Sequence, residues 1–323
     1  MHMHTTLSDG KMTPEETKAE YKEKGYSIVA FSDHEALIPH PELADGEFLP
    51  LTSYEISVNE RGRTGQERRT YHLNLFAPVM NTRTSACFND SCIFTPHIRE
   101  AMPREAYSIR PIEREYSTDC VNKLIAAANA EGFLVSYNHP FWSVQNYTDY
   151  IGLRGLWGIE VYNTGCYRVG YPDTFVPVDD MAKAGQRVFP LATDDAHQLA
   201  DCFGGFLMVN APRLEYADVM QSLRNGDFYA STGPEIKEMV YEDGYLHVLT
   251  SPCAHIDLNT ERRYARFRTG PFGTTVQGAT FDLREYMADC EKYGGNKFIR
   301  LSVYDGAGRV AYTRPYFIDE LTK

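Results

Sequence analysis

Residues 121–140 read VNKLIAAANAEGFLVSYNHP. Val121, Leu124, Ile125 and Ala128 stand at i, i+3, i+4 and i+7, the apolar stripe of a helix, and Gly132 supplies its stop. Phe133 to Tyr137 then reads as a buried strand with Asn138-His139 at its carboxyl end. The same unit recurs on either side. Upstream, Thr13-Pro14-Glu15-Glu16 opens a helix with an N-cap, a first-turn proline and a capping box; Gly25 ends it, and Ile28 to Phe31 follows as a strand. Phe48 to Ser53 and Tyr71 to Phe76 read as further strands. Downstream, Trp157 to Tyr162, Val188 to Ala192 and Phe206 to Val209 are strands, and Asp179 to Gly185 is a short helix. Leu214, Ala217, Met220 and Leu223 make one helical face before Gly226. Such alternation predicts an α/β fold with a parallel sheet, and so many units in a row favour a barrel over an open sheet.

Two stretches break the alternation. Residues 78–116 have no clear period and read as an insertion or lid. After Pro234, Ile236 to Thr250 reads as a hairpin around Asp243-Gly244, and Phe298 to Ile318 repeats the pattern around Asp305-Gly306-Ala307-Gly308. A helix from about Leu283 to Tyr293 lies between them. The chain therefore divides into a barrel over 1–233 and a small, mainly β domain over 234–323.

The chain has 323 residues, 43% hydrophobic and 24% charged, as expected of a globular protein with a real core. Its formal net charge of −12 disfavours gripping nucleic acid by bulk electrostatics. No apolar run is long enough for a membrane span, and no secretory signal pattern opens the chain. The seven cysteines are irregularly spaced with no CxxC pair, which fits a reduced, cytoplasmic compartment.

The chemistry lies where histidines and carboxylates meet strand ends. His2-Met3-His4 puts two imidazoles on one face if extended. His34 ends the Ile28 strand, Glu55 follows the Leu51 strand, His139 ends the Phe133 strand, and Asp194 with His197 follows the Val188 strand. His72 sits instead at the start of its strand. In a barrel these ends share one rim. Imidazole with carboxylate suits Zn, Mn or Fe, and so many ligands imply two or three divalent metal ions with a carboxylate bridging. His40, His97, His247 and His255 read as ordinary core or surface residues.

Taken in order, His2-Met3-His4-Thr5-Thr6-Leu7-Ser8-Asp9-Gly10, Pro14-Glu15-Glu16, Ser32-Asp33-His34, Tyr54-Glu55, His72, Asn138-His139-Pro140 and Asp194-Asp195-Ala196-His197 resemble the motifs of the PHP (polymerase and histidinol phosphatase) family over roughly residues 1–233. The resemblance implies a distorted (β/α)7 TIM-like barrel, closed near residues 224–234, with a di- or trinuclear site. One metal would take His2, His4, Glu55 and Asp194; a second would share Glu55 and take His72 and His139; a third would take Asp9, His34 and His197. Relatives place a strand before the HxH pair, where only Met1 stands here, which implies an upstream start or a truncated first strand.

The implied activity is hydrolysis of a small phosphoester (a sugar phosphate, a nucleotide, or a cyclic or bis-phosphate) by a metal-bridging hydroxide. Asp194 would orient or deprotonate that hydroxide, and His197 or His34 would protonate the leaving oxygen. Arg168 and Asn163 are candidates for substrate binding. Arg61, Arg63, Arg68 and Arg69 read first as a charged hairpin tip, and Arg99, Arg104, Arg110 and Arg114 as part of the lid. The competing enzyme class is an amidohydrolase-like C–N bond hydrolase; the absence of a strand-end lysine and the position of Glu55 favour the phosphoester. No nucleic-acid or membrane partner is expected, and the C-terminal domain could cover the barrel or make a homo-oligomer.

Overall fold

The computed structural model describes residues 1–63, 65–292 and 295–321. From the N-terminus, α1 (Pro14–Glu23) leads to β1 (Ile28–Phe31), β2 (Leu49–Asn59) and β3 (Thr70–Phe76). After the short α2 (Ile98–Ala101) come α3 (Thr118–Ala130), β4 (Leu134–Tyr137), α4 (Tyr147–Tyr150), β5 (Gly158–Asn163), α5 (Thr164–Arg168), α6 (Val176–Lys183) and β6 (Phe189–Thr193). Then follow β7 (Phe206–Val209), α7 (Tyr216–Asn225) and β8 (Phe228–Ser231).

Local chemistry explains most of these bounds. Thr13 and Glu16 form the capping box of α1: Glu16 N–H donates to the Thr13 hydroxyl at 3.2 Å and Thr13 N–H to the Glu16 carboxylate at 2.8 Å. In α3 the stripe Val121, Leu124, Ile125 and Ala128 is buried, as its spacing predicts. The α6 helix starts three residues before the expected Asp179, because Pro177 is pre-set for a first turn. The β2 strand runs well past the expected Ser53, since Ile56 and Val58 are buried and pair with β3. Glu55 therefore lies within a strand rather than after one.

The architecture is mixed α/β. One sheet has the order β1-β2-β3-β4-β5-β6. β1 and β2 are parallel, as are β4 with β5 and β5 with β6, while β3 is antiparallel to both its neighbours. All strands but β3 thus point one way. The expected closed (β/α)7 barrel is not what the described ladders form. The ladder stops at β6, β7 pairs with β8, and the N-terminal segment contributes a single bridge, Met3 to Ala196, in place of a strand. The curled sheet is a half-barrel, and residues 224–234 do not close it.

The C-terminal segment holds β9 (Ile236–Glu242), β10 (Tyr245–Cys253), β11 (His255–Thr260), β12 (Ala265–Thr269), β13 (Val276–Asp282), α8 (Arg284–Lys292), β14 (Phe298–Tyr304), β15 (Val310–Tyr312), β16 (Tyr316–Phe317) and α9 (Ile318–Leu321). Tyr293, the expected helix end, lies outside the described residues. Both expected hairpins form; β12 and β13 are largely exposed and carry little alternation, whereas β11, which reads His-Ile-Asp-Leu-Asn-Thr with Ile256 and Leu258 buried, alternates and was overlooked. The β9–β10 turn has Asp243 at φ 50° and Gly244 at φ 84°, the two left-handed residues of a tight hairpin turn. β15 pairs with β8, so one sheet, β12-β11-β14-β15-β8-β7 with β16 beside β14, spans the expected boundary at 233/234. Arg300 on β14 adds a bidentate pair, both bonds 2.8 Å, to Asp179 on α6. Among the described residues, no helix is long and apolar enough to cross a membrane.

Candidate metal centre

The N-terminal segment is pinned between β1 and β6. Met3 N–H donates to Ser32 Oγ and Ser32 N–H to the Met3 carbonyl; on the other side His4 N–H donates to Ala196 O and Asp195 N–H to His2 O. Extended backbone then sends Met3 into an apolar cluster with Val29, Phe31 and Ala196, and His2 and His4 the opposite way. The loop that follows is tied down by Asp33, whose carboxylate accepts from Thr5 N, Ser8 N and Ser8 Oγ. Gly10 is required there, since a Cβ would stand 2.3 Å from the His4 carbonyl oxygen. That loop delivers Asp9.

The odd position of His72 has a simple cause. β3 runs against its neighbours, so its start lies level with their ends, and His72 pairs in register with Ser57. In β5 the register shifts between Glu160 and Tyr162. This bulge lets Glu160 and Asn163, three apart, meet on one side, with Asn163 Nδ2 2.9 Å from Glu160 Oε2.

Four overlapping groups result, each with ligand atoms within 4.8 Å of one another: His4, Asp9, His34 and His197; His2, His139 and Glu160; His2, His4 and Asp195; and Glu55, His72 and His139. Glu55 is central, with Oε1 3.2 Å from His72 Nδ1 and 3.4 Å from both His2 Nε2 and His139 Nε2, and Oε2 3.0 Å from His34 Nδ1. Asp195 Oδ1 lies 3.3 Å from His2 Nε2 and 3.1 Å from His4 Nε2. Asp9 faces the outer side, 3.5 Å from His197 and 3.7 Å from His34.

The electrostatics are those of a buried, multiply charged site. Burial works against charge on Glu55, but the imidazoles of His72, His2 and His34 outweigh it and hold the carboxyl well below its usual range. His2 is pushed up strongly because Asp195, Glu55 and Glu160 overcome its desolvation. In the same way the neighbouring carboxylates push His34 and His139 up to about 9. His4 goes the other way, lowered by burial and by the nearby His34.

These residues fit a metal cluster. His4 Nδ1, Glu55 Oε2, His72 Nδ1 and Asp195 Oδ1 are buried without a hydrogen-bond partner, a costly condition that a cation would relieve. Three rings are held by one nitrogen and present the other inward: His2 Nδ1 on Glu160 at 2.8 Å, His139 Nδ1 on Ser143 Oγ at 3.2 Å, and His197 Nδ1 on the Asp195 carbonyl at 3.1 Å. That is the outer-sphere support of ligating histidines. His139 and Asp195 also sit at positive φ, 27° and 49°, a strain that is tolerated chiefly at functional sites.

Three of the expected site residues make other contacts. Asp194 is absent from the cluster. Its carboxylate accepts from Tyr21 OH, Thr164 Oγ1 and the backbone N–H groups of Phe203, Gly204 and Gly205, which leaves no free lone pair to turn inward. The neighbouring Asp195 takes the place. Arg168 pairs with Asp201 at 3.1 Å. Asn163 uses its whole amide inside the protein: Oδ1 caps α5 at Cys166 N, and Nδ2 donates to Glu160 and Asp195 Oδ2. Those two bonds position the carboxylates. The reading also missed Glu160, although a glutamate inside the apolar run Gly158 to Val161 was a legible sign of a buried carboxylate. Asp173 went unread as well; burial and nearby Glu160 push it up to about 7, and its Oδ2 has no partner.

A cavity of about 700 Å³ opens beside the cluster, lined by His34, His72, Phe94, Arg61, Arg63 and Arg68 among others. The 78–116 segment forms one wall of it: the Phe94 ring is 5.2 Å from that of His34 and remains 56% exposed. Arg114, expected in the lid, instead anchors that segment through a bidentate pair with Glu35 at 2.7 and 2.8 Å. Arg69 is likewise structural, bound to Glu60 and Asp149.

No family model and no curated protein matches the sequence. Among solved structures, a two-domain protein containing a predicted PHP-like metal-dependent phosphoesterase from Bacteroides vulgatus is similar at 15% identity over 98% of this chain and 93% of that one, with a TM-score of 0.45. An amidohydrolase from Chromobacterium violaceum is similar at 15% identity over 62% and 87%, TM-score 0.39. A lesion-specific endonuclease from Pyrococcus furiosus is similar at 15% identity over 70% and 55%, TM-score 0.42. At such identities and TM-scores these likenesses carry no conclusion about what this chain does.

Proposed function

We propose that the protein is a metal-dependent phosphoesterase of the PHP type that hydrolyses a small phosphoester. The observation that carries this reading is the buried convergence of His2, His4, Glu55, His72, His139 and Asp195 with four orphaned ligand atoms, beside a cavity bearing arginines. His2, His4 and Asp195 would hold one divalent ion, Glu55, His72 and His139 a second, and Asp9, His34 and His197 with His4 a third. Bound there, Zn, Mn or Fe would supply Lewis-acid charge to phosphoryl oxygens and make water more acidic.

The protein's own groups do the rest. Glu160 and Ser143 fix the rings of His2 and His139, and Asn163 fixes Asp195, so the site is pre-organised. Asp195 takes over the role expected of Asp194: its Oδ1 has no hydrogen-bond partner and is free to orient a water. Where only the first two ions are bound, His34 and His197 stand at the open side next to Asp9 and are our candidates to hand a proton to the leaving oxygen.

The test is metal content of the purified protein together with phosphate release from a panel of small phosphoesters, with Asp195→Asn as control. Two to three equivalents of bound metal and turnover lost in the variant support the reading. A protein that binds no metal, or a variant as active as the wild type, overturns it.

A further inference from the structure

The cavity beside the cluster carries more positive charge than one phosphate would use. Its lining includes Arg61, Arg63 and Arg68 from the β2–β3 connection, with Ser57 and Asn59 from β2 and one carboxylate, Glu60, which is taken up by Arg69 at 2.8 Å. In a chain of 44 acidic and 32 basic residues, most arginines around the rim have an acidic partner: Arg69 with Glu60, Arg99 with Asp90, Arg114 with Glu35, Arg168 with Asp201. Among the described residues, Arg61 and Arg68 have none, and Arg63 reaches Glu60 only at 3.5 Å. Arg114, nearly buried on the inner wall, has an Nε without a hydrogen-bond partner.

We propose that Arg61 and Arg68 form an anion subsite for a second negatively charged group on the substrate, a phosphate or a carboxylate. This rests on the phosphoester reading of the adjoining cluster. A cavity of about 700 Å³ is of the size that holds a whole small molecule. With the scissile phosphate at the histidines, the remaining space meets guanidinium groups and polar side chains, with Phe94 as its aromatic wall. Arg61 and Arg68 are exposed and have no acidic partner among the described residues, and the planar guanidinium suits the paired oxygens of phosphate or carboxylate. A substrate whose second group is neutral would leave that charge unanswered.

The test compares matched pairs on the full-length, metal-loaded protein: fructose 1,6-bisphosphate against fructose 6-phosphate, and 3-phosphoglycerate against glycerol 3-phosphate. We expect kcat/KM to favour the doubly anionic member of at least one pair by about tenfold or more, and which pair responds tells phosphate from carboxylate. In Arg61→Ala/Arg68→Ala the ratio should collapse towards one, chiefly through KM, and Arg61→Lys/Arg68→Lys should recover part of it. No preference in either pair, or a ratio the double variant leaves intact, overturns the subsite while the phosphoesterase reading stands. If none of the four esters is hydrolysed, the phosphoesterase reading is judged by its own metal and phosphate-release test, and the subsite alone by calorimetry with inorganic pyrophosphate. A Kd about tenfold weaker in the double alanine variant then supports it, and an equal Kd overturns it.

Discussion

The rim at the strand ends and the C-terminal antiparallel sheet solve opposite problems. In the C-terminal segment the buried side chains are apolar apart from a few hydroxyls, Thr250, Ser302 and Thr313. Its exposed charges pair locally, as Arg284 does with Asp282 and Arg309 with Asp305. At the rim, imidazoles and carboxylates are buried together, ligand atoms lack hydrogen bonds, and two site residues hold left-handed backbone. The first region spends its residues on stability, and the second gives stability up to converge charge. Substitutions should therefore separate: function lost with fold kept among the cluster residues, and stability lowered with function kept in the sheet.

The sharpest break comes from two adjacent aspartates. Asp195→Asn removes charge from the centre of the cluster, and we expect phosphoester turnover to fall by roughly a thousandfold or more with loss of bound metal, and little change in the Tm of chelator-treated protein. Asp194→Ala, one residue away, deletes the acceptor of five hydrogen bonds. It should cost roughly 3–5 kcal/mol in a denaturant titration, the scale for removing one partner of a buried charged network. Equal effects of the two variants on metal content would erase the distinction between them.

A smaller effect follows from the histidines, and its sign is fixed by their shifts. His34 and His139 are raised from the ordinary 6.5 to about 9 in the folded protein. A group raised on folding contributes stability that is fully present below its unfolded value and is lost as pH rises through the folded one. Chelator-treated protein should therefore lose Tm between pH 6.5 and about 9. Zinc or manganese needs deprotonated imidazole, so its stabilisation should grow over the same range and reverse that slope. Melting curves that fall in parallel with and without metal would mean that the cluster does not bind it.

Much of this was legible because the relevant chemistry is local. The helix stripe of Val121 to Ala128, the capping box at Thr13 and the Asp243-Gly244 turn depend on neighbours in sequence. What was not legible depends on direction. Whether Asp194 or Asp195 turns inward is decided by one left-handed residue after β6, and both read alike as strand-end carboxylates. The start-of-strand position of His72 looked anomalous only because pairing to β2 and β4, which reverses β3, is a long-range fact. The pairing of β8 with β15, some eighty residues later, is likewise a long-range fact.

The mildest test lies in the sheet and should leave the rim untouched. Gly244 holds φ 84° in the β9–β10 turn, and a Cβ there would stand 2.5 Å from Arg284 Cγ. Gly244→Ala must strain the turn and displace that flexible side chain, weakening the Arg284–Asp282 pair that the C-terminal segment uses on its surface. We expect a cost of about 1 kcal/mol in stability. Metal content and turnover should not change, because the β13-β10-β9 sheet carries none of the candidate metal ligands. A measurable loss of metal in this variant would show that the two regions share their stability after all, and that the C-terminal sheet helps hold the strand ends in place.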